Sequence, residues 1–286
     1  MTDLPSIRAA AARMAGHVRR TPLLNAPLLD RQAGRRVFVK AECLQLTGSF
    51  KARGGWSAVS ALPPKAKGVI AFSSGNHAQG VALAAARHRV PCVVLMPADA
   101  PQVKIANTRA YGAEVVLYDR ATEDRDAIGA RLAEGRGLTL IRPYDDPQVI
   151  AGQGTTGLEL ADQAAEAGLT QAPVFVCCGG GGLSSGIALA LEARAPGLQV
   201  RTAEPAGFDD MARSLVTGER QRNPAATGSI CDAILTPTPG ELTFPILQRL
   251  AGPGAVVTDD QALRAIVLVF THLRIVLEPG GAVALA

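Results

Sequence analysis

Short apolar runs alternate with Ala-rich amphipathic stretches along most of this chain, and that rhythm constrains the fold more than any other feature. Residues 68–72 read as a strand, 76–88 as a helix, 90–96 as a buried strand and 102–111 as a helix closed by Gly112. A strand at 114–118 and a helix over about 120–134 follow. The second half repeats the pattern with a helix at 154–167, a strand at 174–178, a helix at 183–193 and a strand at 199–203. Strands separated by helices pair in parallel and are covered by those helices, so the expected class is α/β with mainly parallel sheets. Ahead of this region, 4–18 reads as an amphipathic helix and 36–40 as a strand. A polar loop reaches Phe50, and helical spacing through Ala52, Ala58 and Ala61 is stopped by Pro63-Pro64.

The length of 286 residues suits two α/β domains or one large one. Hydrophobic residues at 48% against 19% charged allow a sizeable core and argue against disorder. The net charge of +4 is scattered, with basic residues adjoining only in pairs such as Arg19-Arg20, so no nucleic-acid face is expected. The five cysteines are odd in number and lack C-x-x-C spacing. Reduced thiols in the cytoplasm are therefore expected rather than a disulfide framework or a zinc site. No apolar secretion segment opens the sequence, and the run 265–270 is too short to span a bilayer. Pro143-Tyr144-Asp145-Asp146-Pro147 reads as a crossing between domains, and 223–241 as an ordered surface excursion.

Three short segments can carry chemistry. Cys177-Cys178-Gly179-Gly180-Gly181-Gly182-Leu183 joins a strand to a helix. Its glycines allow positive φ and close backbone approach, and their amides with the helix N-terminus suit a phosphate. A flexible turn is the plain alternative. The spacing G-x-G-x-x-G fails in every register, although Glu204 lies near the place of a ribose-binding acid, and no G-x-x-x-x-G-K-[ST] occurs. In Gly48-Ser49-Phe50-Lys51-Ala52-Arg53-Gly54, Lys51 stands near a helix start. A positive helix end and partial burial both lower an amine's pKa, as a Schiff-base or general-base lysine needs. Taken alone, such a lysine is more often a solvated surface group. Ser73-Ser74-Gly75-Asn76-His77-Ala78-Gln79-Gly80 opens a helix after a strand. Its hydroxyls, amide and free N–H groups form a cup for a carboxylate, whereas ordinary N-capping needs only one of them.

Taken in order, GSFKARG, SSGNHAQG, AGQGT, GGGGL, EP and EPGGA resemble the fold-type II pyridoxal-phosphate enzymes, within the threonine/serine dehydratase and serine racemase group. The resemblance covers most of the chain. It implies the tryptophan synthase β-like architecture of two three-layer domains, a large one from 1–67 plus 146–286 and a small mobile one from 68–145. It implies pyridoxal 5'-phosphate as a Schiff base on Lys51, Phe50 beside the ring, Asn76 on its phenolic oxygen, and Glu278 nearby. Gly179, Gly180, Gly181, Gly182 and Leu183 would hold the phosphate. Ser73, Ser74, Asn76 and His77 would receive the substrate carboxylate, with Arg125 as a further partner, and Gly152 to Thr155 would line the cleft. Lys51 would take the α-proton, and Ser74 would be the second acid/base of a racemase. Glu204, the Phe208 carbonyl and Asp210 resemble a magnesium or calcium site, with a solvated acidic loop as the alternative.

The implied reaction is ammonia release from L-threonine or L-serine by a homodimer, with serine racemase or threo-3-hydroxyaspartate dehydratase as alternatives. A non-catalytic phosphate-ligand protein, or a hydrolase pairing Cys177 or Cys178 with His77, would use the same segments differently. Two departures stand out. Cys231-Asp232-Ala233 replaces the family's frequent Ala-Asp-Gly, and the residue that meets the pyridine nitrogen falls beyond Ala286, on the family's next strand.

Overall fold

The computed structural model describes residues 2–286. In chain order the elements are α1 (Leu4–Met14), β1 (Leu23–Leu24), α2 (Pro27–Ala33), β2 (Val39–Lys40), α3 (Lys51–Ser60), β3 (Val69–Phe72), α4 (Asn76–His88), β4 (Cys92–Pro97), α5 (Gln102–Ala110), β5 (Glu114–Tyr118), α6 (Arg125–Arg136) and β6 (Thr139–Leu140). Then come α7 (Pro147–Glu166), β7 (Ala172–Cys177), α8 (Gly182–Arg194), β8 (Leu198–Pro205), α9 (Asp210–Thr217), α10 (Thr243–Leu250), β9 (Ala255–Val257), α11 (Asp259–Leu273) and α12 (Pro279–Ala282).

Two parallel sheets organise these elements. One has the order β5-β4-β3-β6 and the other β7-β8-β9, and only the short β1-β2 pair is antiparallel. Every residue of β4 is buried, as a central parallel strand requires. The α/β class with mainly parallel sheets is as expected.

Between the sheets, α1, α3, α4, α7 and α8 pack on one another, and glycines set their spacing. A Cβ on Gly55 of α3 would meet the Gly80 carbonyl of α4 at 2.7 Å, and one on Gly80 would meet the Lys51 carbonyl at 2.7 Å. This bare crossing brings the first turn of α3 against α4 and so fixes Lys51 beside the cup ahead of Asn76.

The structure corrects several expectations. The helix α7 begins at Pro147, seven residues before 154, because the Asp146 carboxylate caps the Gln148 and Val149 amides. Gly152 to Thr155 therefore lie inside a helix and do not line the cleft. A Cβ on Gly152 would stand 2.6 Å from the Arg53 carbonyl, and one on Gly154 2.7 Å from Ile7, so these glycines serve helix packing. The helix expected from about 120 starts at Arg125, where Asp124 caps it. Only Val39–Lys40 of the strand expected at 36–40 pairs, because the Val37 N–H donates to Asp30 and its carbonyl accepts from Asn25. Residues 223–241 are not a surface excursion throughout, since Cys231 is fully buried and Asn223 donates to Asp210 and the Thr236 carbonyl. No helix among the described residues is long and apolar enough to cross a membrane.

Candidate active site

Lys51 opens α3 with Phe50 before it, and its Nζ lies 5.4 Å from the Phe50 ring centroid. The Nζ donates to the Pro143 carbonyl at 2.6 Å. Burial removes water from the ammonium and lowers its pKa to about 8, with Cys177 and Glu278 pulling the other way. At pH 7 about a tenth is then free amine, far more than for an exposed lysine, and that is the form able to attack a carbonyl or accept a proton.

A cleft of about 1680 Å³ opens over Lys51. Phe50, Ser73, Ser74, Asn76, His77, Arg125, Gly179 to Leu183 and Glu278 all border it. The glycine loop links β7 to α8. Gly181 has φ +92°, and a Cβ there would stand 2.8 Å from Thr243 Oγ1 and 2.9 Å from the Met211 methyl. No other residue type fits. Tyr144 lies over the loop, within 2.3 Å of where a Cβ on Gly180 would be. The Gly180 carbonyl accepts from the Gly240 N–H at 3.2 Å and the Thr243 hydroxyl at 2.6 Å, which turns the peptide units the other way. No backbone carbonyl of the described residues accepts from the N–H groups of Gly179 to Leu183, and no side chain caps α8. Five free donors at a helix N-terminus form a cradle for an anion.

The second donor set lies ahead of α4. The Ser73 Oγ accepts from the Gly75 amide at 3.2 Å, and Ser74 is exposed to the cleft. Asn76 Nδ2 donates to Glu278 Oε1 at 2.5 Å, joining α4 to the start of α12 across 202 residues. His77 is 3% exposed, and its Nε2–H donates to the Ile141 carbonyl at 2.9 Å. Its Nδ1 has no partner among the described residues. Burial, then the Lys51 charge, depresses its pKa to about 3, so it stays neutral. Arg125 is half exposed, 2.9 Å from Asp126 and over the Phe72 ring.

Glu204, Phe208 and Asp210 are all buried but do not border the cleft. The Glu204 oxygens accept the Met211 and Ala212 amides at 2.9 and 2.8 Å, so this side chain caps α9. Asp210 accepts from Asn223 at 2.6 Å with one oxygen, while its Oδ2 has no partner among the described residues. Burial raises both carboxyls, Glu204 well above its usual range and Asp210 to about 6. The solvated acidic loop is excluded by this burial. No group of three or more His, Cys, Asp or Glu side chains that could hold a metal occurs among the described residues.

Three partners were not legible beforehand: the Pro143 carbonyl on Lys51, Tyr144 over the glycine loop, and Lys104, whose Nζ reaches 3.2 Å from the Cβ position of Gly75. All are remote in sequence from the groups they meet. The only signal was the PYDDP crossing segment, which holds two of them.

A buried amine, an anion cradle and a carboxylate cup on one cleft fit pyridoxal phosphate, which needs an amine for its aldehyde and donors for its phosphate. The comparisons agree. Residues 14–286 match the family model described as pyridoxal-phosphate dependent enzyme, and the chain belongs to that family. Its two sheets are those of fold-type II members. An L-threo-3-hydroxyaspartate ammonia-lyase from Pseudomonas sp is 44% identical over 281 residues, covering 97% of this chain and 86% of the relative. A serine racemase from Dictyostelium discoideum is 39% identical, over 99% of this chain and 87% of the relative. The crystal structure of a threonine deaminase from T.th. superposes with a TM-score of 0.93 at 46% identity, covering 98% of this chain and 90% of that one.

Proposed function

We propose that this chain is an ammonia-lyase for small β-hydroxy α-amino acids, converting L-threonine, L-serine or a relative of them to a 2-oxo acid and ammonia. The buried Lys51, its pKa lowered by burial, on one cleft with the cradle and the cup carries this reading. When bound, pyridoxal phosphate supplies an electron sink for negative charge at the substrate Cα. The residues around it have separate tasks. Lys51 Nζ holds the cofactor at rest and, once free, takes the proton from Cα. Gly179 to Leu183 hold the phosphate through their N–H groups. Phe50, beside Lys51, would pack against the cofactor, and Asn76, steadied by Glu278, would donate to it. Ser73, Ser74, Asn76 and His77 would receive the α-carboxylate at the start of α4, His77 through its backbone N–H because its neutral ring gives its one N–H to the Ile141 carbonyl, and the helix dipole there favours an anion. The β-hydroxyl then leaves with a proton as water, and the released enamine tautomerises to an imine that takes up one water to give the 2-oxo acid and ammonia.

Racemisation is the second reading, and Ser74 favours it, because its hydroxyl is exposed to the same cleft as Lys51 and could serve as the second acid/base that racemisation needs. Two further parts of the proposal rest on other grounds. Five free cysteines support a reducing, cytoplasmic setting, and a homodimer rests on family membership alone. A divalent cation on Glu204, the Phe208 carbonyl and Asp210 would have to draw the Glu204 oxygens from the α9 amides, and the unpartnered Asp210 Oδ2 is the one feature in its favour; magnesium or calcium would then raise the melting temperature.

An assay of ammonia and 2-oxo acid release over threonine, serine and 3-hydroxyaspartate, with chiral analysis of residual serine, tests the reading. Stoichiometric ammonia and 2-oxo acid support it. D-serine without ammonia would replace it with the racemase.

A further inference from the structure

Three cations from residues 69–140 border the cleft: Lys104, Arg120 and Arg125. Two are already matched. Arg120 lies 2.8 Å from Asp99 and Arg125 2.9 Å from Asp126, with both guanidinium side chains about half exposed. Lys104 differs in both respects. Its side chain is 21% exposed, and its only carboxylate partner among the described residues, Asp232, stands 3.6 Å away. The ammonium is therefore the least hydrated and least tightly paired of the three.

Its position is also specific. Lys104 belongs to α5, and its Nζ and Cδ both lie 3.2 Å from the point a Cβ on Gly75 would occupy. Gly75 is the residue immediately before α4, between Ser74 and Asn76. Any larger residue there would displace the lysine. The ammonium thus stands at the rim of the carboxylate cup, with Asp232 across it. On the proposed reading the cup's hydroxyls and amides would meet one carboxylate, which leaves Lys104 a charge for a second anionic group a few bonds away.

We infer that Lys104 binds the distal carboxylate of a β-hydroxy dicarboxylic amino acid, with Asp232 holding the ammonium in place until the substrate displaces it. This rests on the lyase reading and narrows its substrate class to the 3-hydroxyaspartate type. A charge-assisted hydrogen bond in a partly dehydrated cleft discriminates strongly, because a substrate lacking the carboxylate leaves the cation with its weak protein partner alone.

The test uses holoenzyme and the variants Lys104→Gln, Lys104→Arg and Arg120→Gln. Two quantities are read: the ratio of kcat/KM for threo-3-hydroxyaspartate to that for serine, and the competitive binding of succinate against butyrate by calorimetry. The inference expects succinate to bind wild type at least ten-fold more tightly than butyrate. Lys104→Gln should lower the kcat/KM ratio ten-fold or more and abolish the preference for succinate. Lys104→Arg should restore most of both, and Arg120→Gln should move neither. Equal losses with both substrates would overturn the inference, since they would mean that Lys104 serves the α-carboxylate or packing. So would equal binding of succinate and butyrate by a wild type that turns over serine, an outcome that leaves the lyase reading standing. Conversely, a Lys104-dependent preference for succinate in a protein that releases no ammonia from any substrate upholds the dicarboxylate site and refutes the lyase.

Discussion

Replacing Arg53 by Met should be among the most damaging single changes outside the cleft. Arg53 lies two residues past Lys51, its side chain is fully buried, and it makes six hydrogen bonds. Its Nε and Nη2 fork onto Glu42 at 2.8 Å each, while Nη1 and Nη2 fork onto Glu159 at 2.7 and 2.9 Å. Lys40 reaches the same Glu159 at 2.5 Å. Methionine roughly fills the volume but leaves Glu42 with only the Thr21 hydroxyl and Glu159 with only Lys40. Breaking a buried pair in this way costs about 3–5 kcal/mol, because a charge is left without its counterion. At about 2 °C per kcal/mol for a chain of this size, the melting temperature should fall by roughly 6–10 °C. Thermal unfolding of apo and holo protein measures this, with Glu42→Gln and the double variant completing a cycle. The double variant should lose less than the sum of the singles, since it no longer buries an unpaired Glu42 carboxylate. A loss below about 1 kcal/mol, or strict additivity, would refute the argument that the guanidinium is what neutralises these acids.

Other consequences concern the site itself. Gly180→Ala places a methyl carbon 2.3 Å from the Tyr144 ring, so it should weaken cofactor binding at least ten-fold in a spectroscopic titration. Gly55→Ala meets the Gly80 carbonyl at 2.7 Å and must part α3 from α4. Overpacking of this kind costs about 1–3 kcal/mol, and kcat should fall more than KM rises, because Lys51 moves relative to the cup. With its pKa lowered to about 8 by burial, Lys51 gains its free-amine form as pH rises through that value. Stopped-flow reconstitution of apoenzyme should therefore quicken from pH 6 to pH 8 and level off above about pH 9.

The sequence rhythm made the helices and central strands legible because a helix and a parallel strand bury apolar residues with different periods. The helix α4 was readable to the residue, with Gly75 breaking the backbone before Asn76 and Arg89 closing it in a left-handed turn. Pairs as short as β1 and β6 carry too few residues to show a period. The helix α7 reads as starting at Gly154 instead of Pro147, with Gly152 left outside it, because glycine disfavours helix interiors by about 1 kcal/mol relative to alanine. Contact with α3, α1 and α8 outweighs that cost. The candidate site followed the same division. Its donor-rich loops were visible as local motifs. The Pro143 carbonyl, 92 residues from Lys51, and the Asp232 carboxylate near Lys104 depend on how the two sheets are set against each other. The acids Glu204 and Asp210 were legible as a pair, but not that α9 would take both oxygens of the first.

The central claim is that Lys51 holds the cofactor. Borohydride reduction of the pyridoxal-phosphate-loaded protein, followed by proteolysis and peptide mass spectrometry, tests it most directly. The predicted result is a single phosphopyridoxyl adduct on the peptide containing Lys51, absent from a folded Lys51→Ala variant. An adduct on another lysine, or none in a wild type that retains the cofactor, would contradict it.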